Sequence, residues 1–228
     1  IIHQSYKNIE LIIVNDGSID STEKIISSYK DIRIKLINNS LNMGIVFSLN
    51  KAISIATGKY IARMDADDIA GQERLSSQVA YLKSKNLDIC GTSISLFGSR
   101  IQNIAYPESK EDVNFFTLFG SPIAHPTVLG YAHIFKKNPY RKIAAEDYDL
   151  WSRLLSKGLN IGNMQASLLN YRVHENQITL DKTDIIKSSI LSTECFLNTL
   201  FSFDNKSLKL DSLSGLLVKL SLDWQSRL

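Results

Sequence analysis

Cysteine is scarce in this chain. The two present, Cys90 and Cys195, sit in apolar neighbourhoods without a CxxC pair or a Cys/His spacing suited to zinc. A reduced, intracellular setting is the expectation. An excess of one charge sign is lacking too. The 26 Lys and Arg against 23 Asp and Glu leave a net charge of +3, scattered rather than clustered. That argues against a dedicated nucleic-acid binder and leaves room for mild attraction to anionic membrane surfaces or nucleotide phosphates. No apolar run approaches the ~20 residues of a membrane span, and no signal-peptide pattern is visible. A Walker-type glycine loop is missing, which argues against P-loop nucleotide hydrolysis. Repeats, low-complexity tracts and linkers are absent. The opening "IIHQSYKNIELIIVND" lacks a Met and begins as though inside an element, which predicts a fragment whose upstream strand is missing.

What is present is ordinary globular material. The 228 residues are 44% apolar and 21% charged, enough for one substantial core or one domain plus an extension. Two periods alternate along it. "IELIIVN" (9–15) is a short apolar run of the kind buried on both faces of a parallel sheet. A helix over 20–30 follows, with Asp20 as N-cap and Glu23 completing a capping box. "IRIKLI" (32–37) alternates like a strand. A helix from Ile45 to Ala56 carries its apolar stripe and stops at Gly58. "KYIARM" reads as a strand, 72–85 as a helix and 88–98 as a strand. A short helix near 109–118, a strand over 126–135, a helix over 146–156 and a strand over 166–173 complete the pattern. Such alternation predicts an α/β domain to residue 179, with right-handed crossovers. A helical extension is expected over 180–228, packed on the domain, paired with another chain or laid against a membrane.

Two of the predicted strands end in acid. "LIIVND" closes on Asp16, followed by the turn Gly17-Ser18, and "YIARMDADD" closes on Asp65, Asp67 and Asp68. Alone, "NDGS" reads as a turn before a capped helix and "DADD" as a solvated loop. Together they matter more, because open α/β sheets bind ligands outside the carboxyl ends of their strands. Asp65-x-Asp67 suits a hard divalent cation, Mg²⁺ or Mn²⁺, which takes carboxylate and phosphate oxygens and relieves the repulsion between the acids. Asp16 is then free to hydrogen-bond a base or ribose. Arg63 alternates with Met64, so one of the two faces away from the core, and a salt bridge from Arg63 would hold the aspartates.

The segments "YKNIELIIVNDGSIDST", "NMGIVFSLNKAISIATGKYIARMDADDI", "HPTV" and "AAEDYDLWSRLLSKG", in that order, resemble the family 2 glycosyltransferases over residues 1 to about 177. The resemblance implies the GT-A fold, a Rossmann-like, mostly parallel sheet flanked by helices, and inverting transfer from a nucleotide-sugar. It assigns Asp16, Asp65, Arg63 and Gly44 to the donor, expected to be a UDP-sugar. The metal falls to Asp67, Asp65 and His174, the last within a "YRxH"-like segment. Asp68 reads as a helix-start residue or a support to the metal ligands.

An inverting transfer needs a base. Asp147, Leu150, Trp151 and Leu154 form one helical stripe, which turns Asp147 to the packed side and Asp149 outward. Placement at a helix start alone reads as dipole stabilisation, and favours an ionised carboxylate. The family's Glu-Asp motif assigns Asp147 as base and Glu146 as a neighbour orienting the acceptor, with the order open to exchange. Arg172 pairs with phosphate or is an exposed strand residue, and His125 reads as structural beside the acceptor pocket. Two departures stand out: the family's first strand with its "PxYN" is absent upstream of Ile1, and "KKNPYRK" (136–142) replaces a glycine-rich turn.

The resulting expectation is a cytoplasmic enzyme, peripheral at the inner membrane face. It would serve bacterial surface polysaccharide assembly with a saccharide or lipid-linked saccharide acceptor and no nucleic acid. A nucleotidyltransferase on a related fold and a degenerate nucleotide-sugar-binding module are the alternatives.

Overall fold

The structure, a computed structural model, describes residues 1–174 together with Thr193 and Leu197. Apart from Thr193 and Leu197, the helical extension expected over 180–228 lies outside the described residues. Strands β1 (Leu11–Asp16), β2 (Ile34–Asn39), β3 (Tyr60–Ala62), β4 (Ile69–Ala70), β5 (Ile89–Gly98), β6 (Gln102–Ile104), β7 (Leu129–Tyr131) and β8 (Ile161–Val173) form two sheets. Helices α1 (Thr22–Ser28), α2 (Ile45–Ile55), α3 (Arg74–Ser84), α4 (Lys110–Phe116), α5 (Ala132–Lys137) and α6 (Glu146–Ser156) flank them.

β1 and β2 pair in parallel, in register from Leu11 opposite Ile34 to Asp16 opposite Asn39. The larger sheet runs β3-β7-β5-β8-β4, with β6 on β5. In it β3, β5 and β8 share one direction, and β4, β6 and β7 run against it. Neighbouring residues of β5 feed opposite faces, as the two-residue period of a strand requires. Ile89 joins Leu150, Trp151 and Leu154 of α6, all fully buried, while Cys90 joins Leu75, Val79 and Leu82 of α3. Helices thus cover the β5 region on both faces.

Between β1 and β3 the sheet is interrupted. Among the described residues β1 pairs only with β2 and β3 only with β7, and a cavity of about 480 Å³ lies between them. Its walls come from Ile9, Leu11, Ile61, Leu75, Val79 and Leu129, among others. Glu10 spans the gap at one end, its Oε1 accepting from the Thr57 N–H at 2.6 Å and the Gly58 N–H at 2.9 Å.

Three local expectations are corrected. The segment 126–135 is not one strand. It is a 3-10 turn over His125–Thr127, then β7, then α5. Pro126 has no N–H to give a ladder, and the strand shrinks to the three residues that can pair. The capping box at Asp20 does not form. Ser21 holds the N-cap position, Asp20 accepts from the Thr22 N–H at 2.9 Å, and Glu23 accepts from Asn38 at 2.7 Å instead of turning back. Asp149, expected outward, is 5% exposed and paired with Arg153 at 2.8 Å and Arg141 at 3.6 Å.

Candidate active site

Asp16 ends β1 where the chain must turn sharply under the following loop. Gly17 makes that turn at φ +73°, and a Cβ there would sit 2.5 Å from the Leu41 backbone. The Asp16 carboxylate is held from several sides. Its Oδ1 accepts from Asn39 at 2.7 Å and the Met43 N–H at 2.9 Å, and its Oδ2 accepts from the Gly44 N–H at 2.8 Å. Lys51 fixes Asn39 in turn by donating to its Oδ1 at 2.7 Å. Burial would raise the Asp16 pKa, but these hydrogen bonds outweigh it and hold the carboxyl below its ordinary value. Gly44 enters α2 at φ +87° with open space around it, so backbone conformation is what requires glycine there. Asp16 and Gly44 are thus in direct contact.

The acids after β3 separate into different jobs. Arg63 grips Asp65 with both arms of its guanidinium, at 2.6 and 2.7 Å, the bidentate geometry that makes Arg–carboxylate pairs strong. Asp67 faces His174, Oδ2 to Nε2 at 3.3 Å, both side chains 42% exposed. Asp68 is neither exposed nor at a helix start, since β4 begins at the next residue. Its Oδ1 accepts from the Arg172 N–H at 2.9 Å, and Arg172 Nε donates to the Asp67 carbonyl at 3.0 Å. β4 pairs antiparallel with β8 through Ile69–Asn170, so this latch continues the register and delivers His174 to Asp67. Burial, with Asp65 and Asp67 adding to it, raises the Asp68 carboxyl to about 6.

The donor set fits a hard cation in part. Asp67 and His174 present an oxygen and a nitrogen 3.3 Å apart. That is close to the roughly 3 Å between adjacent ligands when each stands about 2.1 Å from one octahedral ion. Asp65 instead has both oxygens committed to Arg63. Among the described residues no group of three His, Cys, Asp or Glu side chains is already gathered around a point.

Glu146 and Asp147 open α6. Ser121 donates to Asp147 Oδ2 at 3.5 Å, and Glu146 Oε1 lies 3.9 Å from His125 Nδ1. Burial works against the ionised form that the helix start was expected to favour. Desolvation comes first, and for Glu146 the neighbouring Asp147 comes next, lifting its carboxyl to about 7. Asp147 is also raised, by burial above all, with Arg63 pulling the other way. The Arg63 charge also acts on Glu146 and His125, which ties the acids after β3 to those at α6.

One group escaped the sequence reading. Tyr140, in the "KKNPYRK" segment, is buried, its N–H donating to Asn50 Oδ1 at 3.0 Å and its carbonyl accepting from Asn50 Nδ2 at 2.9 Å. An α2 side chain therefore fixes the loop that replaces the glycine-rich turn. Asp68 was expected at a helix start or as a support to the metal ligands, but nothing local in "DADD" shows that it is the acid that meets β8.

Residues 1–143 match the family model for Glycosyl transferase family 2. This chain belongs to glycosyltransferase family 2. The O-antigen biosynthesis glycosyltransferase WbnJ of Escherichia coli is 32% identical over 220 residues, which is 90% of this chain and 82% of that protein. The fold is GT-A. The TarS structure (residues 1–349) from S. aureus, in complex with UDP-GlcNAc, superposes with a TM-score of 0.66 at 17% identity, covering 89% of this chain and 67% of that one. The mannosyltransferase PcManGT of Pyrobaculum calidifontis, in complex with GDP-Man and Mn2+, gives 0.60 at 13% identity, over 98% and 76% of the two chains. This family 2 chain spans 34% of the length of one curated relative and 60% of another. Among its described residues no helix is long and apolar enough to cross a membrane.

Proposed function

We propose that the chain transfers a glycosyl group from a nucleotide-sugar, a UDP-sugar, to an acceptor hydroxyl with inversion at the anomeric carbon. The observation that carries this reading is the Glu146–Asp147 pair at the start of α6, lifted by burial toward neutrality beside Arg63. A carboxylate whose pKa is raised is the stronger proton acceptor. Asp147 takes the acceptor proton as the acceptor oxygen bonds to the anomeric carbon and the bond to the diphosphate breaks. Glu146 orients the acceptor. Asp16 and Gly44 receive the nucleoside, and Arg63 and Asp65 the sugar-proximal part of the donor. Asp67 and His174, with Asp65, would hold Mg²⁺ or Mn²⁺, which when bound neutralises charge on the departing diphosphate.

UDP-GlcNAc and GDP-Man in the two neighbouring structures support the donor class, and the Mn2+ in one of them supports the metal. The O-antigen relative supports surface polysaccharide assembly. A saccharide or lipid-linked saccharide acceptor and peripheral contact with the inner membrane face complete the proposal.

Asp147→Asn should lower transfer by about 10²-fold or more, while calorimetry shows Mn²⁺-dependent UDP binding retained. Full turnover in this variant would overturn the assignment. A second reading, a nucleotide-sugar-binding module without turnover, is favoured by the hold of Arg63 on both Asp65 oxygens. UDP binding with no donor hydrolysis by the unaltered chain would select it.

A further inference from the structure

His125 has no part in the transfer as described, yet its ring is placed with care. The side chain is 10% exposed, 5.4 Å from the Tyr140 ring and 6.0 Å from the Trp151 ring between centres. Nε2 is 2.8 Å from the Tyr140 hydroxyl, and Nδ1 is 3.9 Å from Glu146 Oε1. Asn50 brackets the Tyr140 backbone on both sides, so the hydroxyl is a fixed partner.

We infer that His125 is a positioning residue for Glu146. The Tyr140 hydroxyl donates to Nε2, the imidazole keeps its one proton on Nδ1, and that N–H faces the Glu146 carboxylate.

A neutral imidazole has one N–H and one lone pair, so the partners decide the tautomer. While Glu146 is ionised, the opposite tautomer would aim the Nδ1 lone pair at a carboxylate oxygen, two electron-rich atoms face to face. Burial, with the Arg63 charge nearby, depresses the His125 pKa well below its ordinary value, so the ring is neutral at physiological pH. Burial also keeps the Tyr140 phenol protonated and able to donate. At 3.9 Å the Nδ1–Glu146 contact exceeds a direct hydrogen bond, so it orients the carboxylate by charge–dipole attraction. Of the other groups facing Glu146, Asp147 and Asp65 favour its protonated form and Arg63 its ionised form. The His125 N–H acts with Arg63.

The inference rests on Glu146 being the acceptor-orienting residue, but its test needs no substrate. In the full chain labelled with ¹⁵N-histidine, long-range ¹H–¹⁵N spectra distinguish protonated from bare ring nitrogens, and His125→Asn identifies the signal. Nδ1 should be protonated and Nε2 bare at about pH 8, where Glu146 is mostly ionised. An Nε2–H or doubly protonated ring at that pH overturns the inference. In ¹³C-glutamate-labelled protein, His125→Phe should raise the Glu146 titration midpoint by about half a pH unit, a roughly threefold shift in equilibrium. His125→Asn, which sets an amide N–H where Nδ1 stood, should restore most of it. Equal midpoints in all three proteins, or equal shifts in both variants, would make His125 a packing residue only. Should a variant fail to fold, the tautomer in the unaltered chain decides alone. Neither readout depends on the Asp147→Asn result, so failure of the glycosyltransferase reading remains distinguishable.

Discussion

Asp147 and Asp149 stand two residues apart on α6 and serve different ends. Asp147 sits among Ser121, Glu146 and the field of Arg63, where burial raises its proton affinity. Asp149 is consumed by structure. It accepts from Arg153 Nε, while Arg153 Nη2 reaches the Pro139 carbonyl at 2.9 Å and so ties the loop before α6 to the helix. Removing one partner of such a buried pair strands the other charge, at a cost of about 3 kcal/mol. Asp149→Ala should therefore lower the unfolding free energy by that amount in urea titration, whereas Asp147→Asn should be far milder. The helical stripe turned Asp147 toward the packed side, and the structure shows it half-buried beside Ser121. The stripe misplaced Asp149 because the period of one helix does not reveal that a neighbouring loop, with Arg141, covers its outer face.

At the scale of elements, Glu10 is the most consequential single bond-maker. Its Oε1 accepts three hydrogen bonds from Thr57 and Gly58, and its Oε2 takes Lys35 at 2.7 Å, so β1, β2 and the turn into β3 meet at one carboxylate. Burial opposes ionisation, but Lys35, Thr57 and Gly58 together overcome it and hold the carboxyl down at about 2. A carboxyl depressed in the fold stabilises above its unfolded pKa near 4.5, and loses that contribution as pH falls toward 2. Glu10→Gln should therefore be destabilised relative to the unaltered chain in urea titration at pH 7, by about 1–2 kcal/mol. The difference should shrink steadily between pH 4.5 and pH 2. An undiminished difference in acid would show that packing, not ionisation, carries the clamp. Nothing in "KNIEL" announces this role, because the partners lie 25 to 48 residues away. The short strand β4 escaped notice for the same reason: two residues become a strand only because β8 offers them an edge.

Across the whole molecule, pairing is uneven. β5 is bonded along both edges, to β8 on one side and to β6 and β7 on the other, and Ile89 and Cys90 are fully buried. β1 and β3 each have one paired edge among the described residues, and the other borders the cavity of about 480 Å³. Local opening is easiest where few apolar contacts and few flanking bonds resist it. Amide hydrogen exchange should therefore be slowest in Ile89–Leu96, and at least roughly tenfold faster in Tyr60–Ala62 and Leu11–Asp16. Equal protection across these strands would show that the cavity does not weaken its walls.

Taken by itself, the sequence determined what depends on neighbours along the chain. The apolar run into Asp16, the stripe of α2, the strand into Asp65 and the helix opening on Glu146 are local patterns of period and termination, and they were legible as such. The resemblance added the family and the fold. Tertiary structure alone decided what depends on residues far apart. It made Asp68 a latch on β8 that carries His174 to Asp67, and set His125 between Tyr140 and Glu146. The reason is one of range: periodicity and capping act within a turn or two, whereas the partner of a carboxylate is whatever charge or N–H the packed sheet brings to it, and burial then sets whether it keeps its proton.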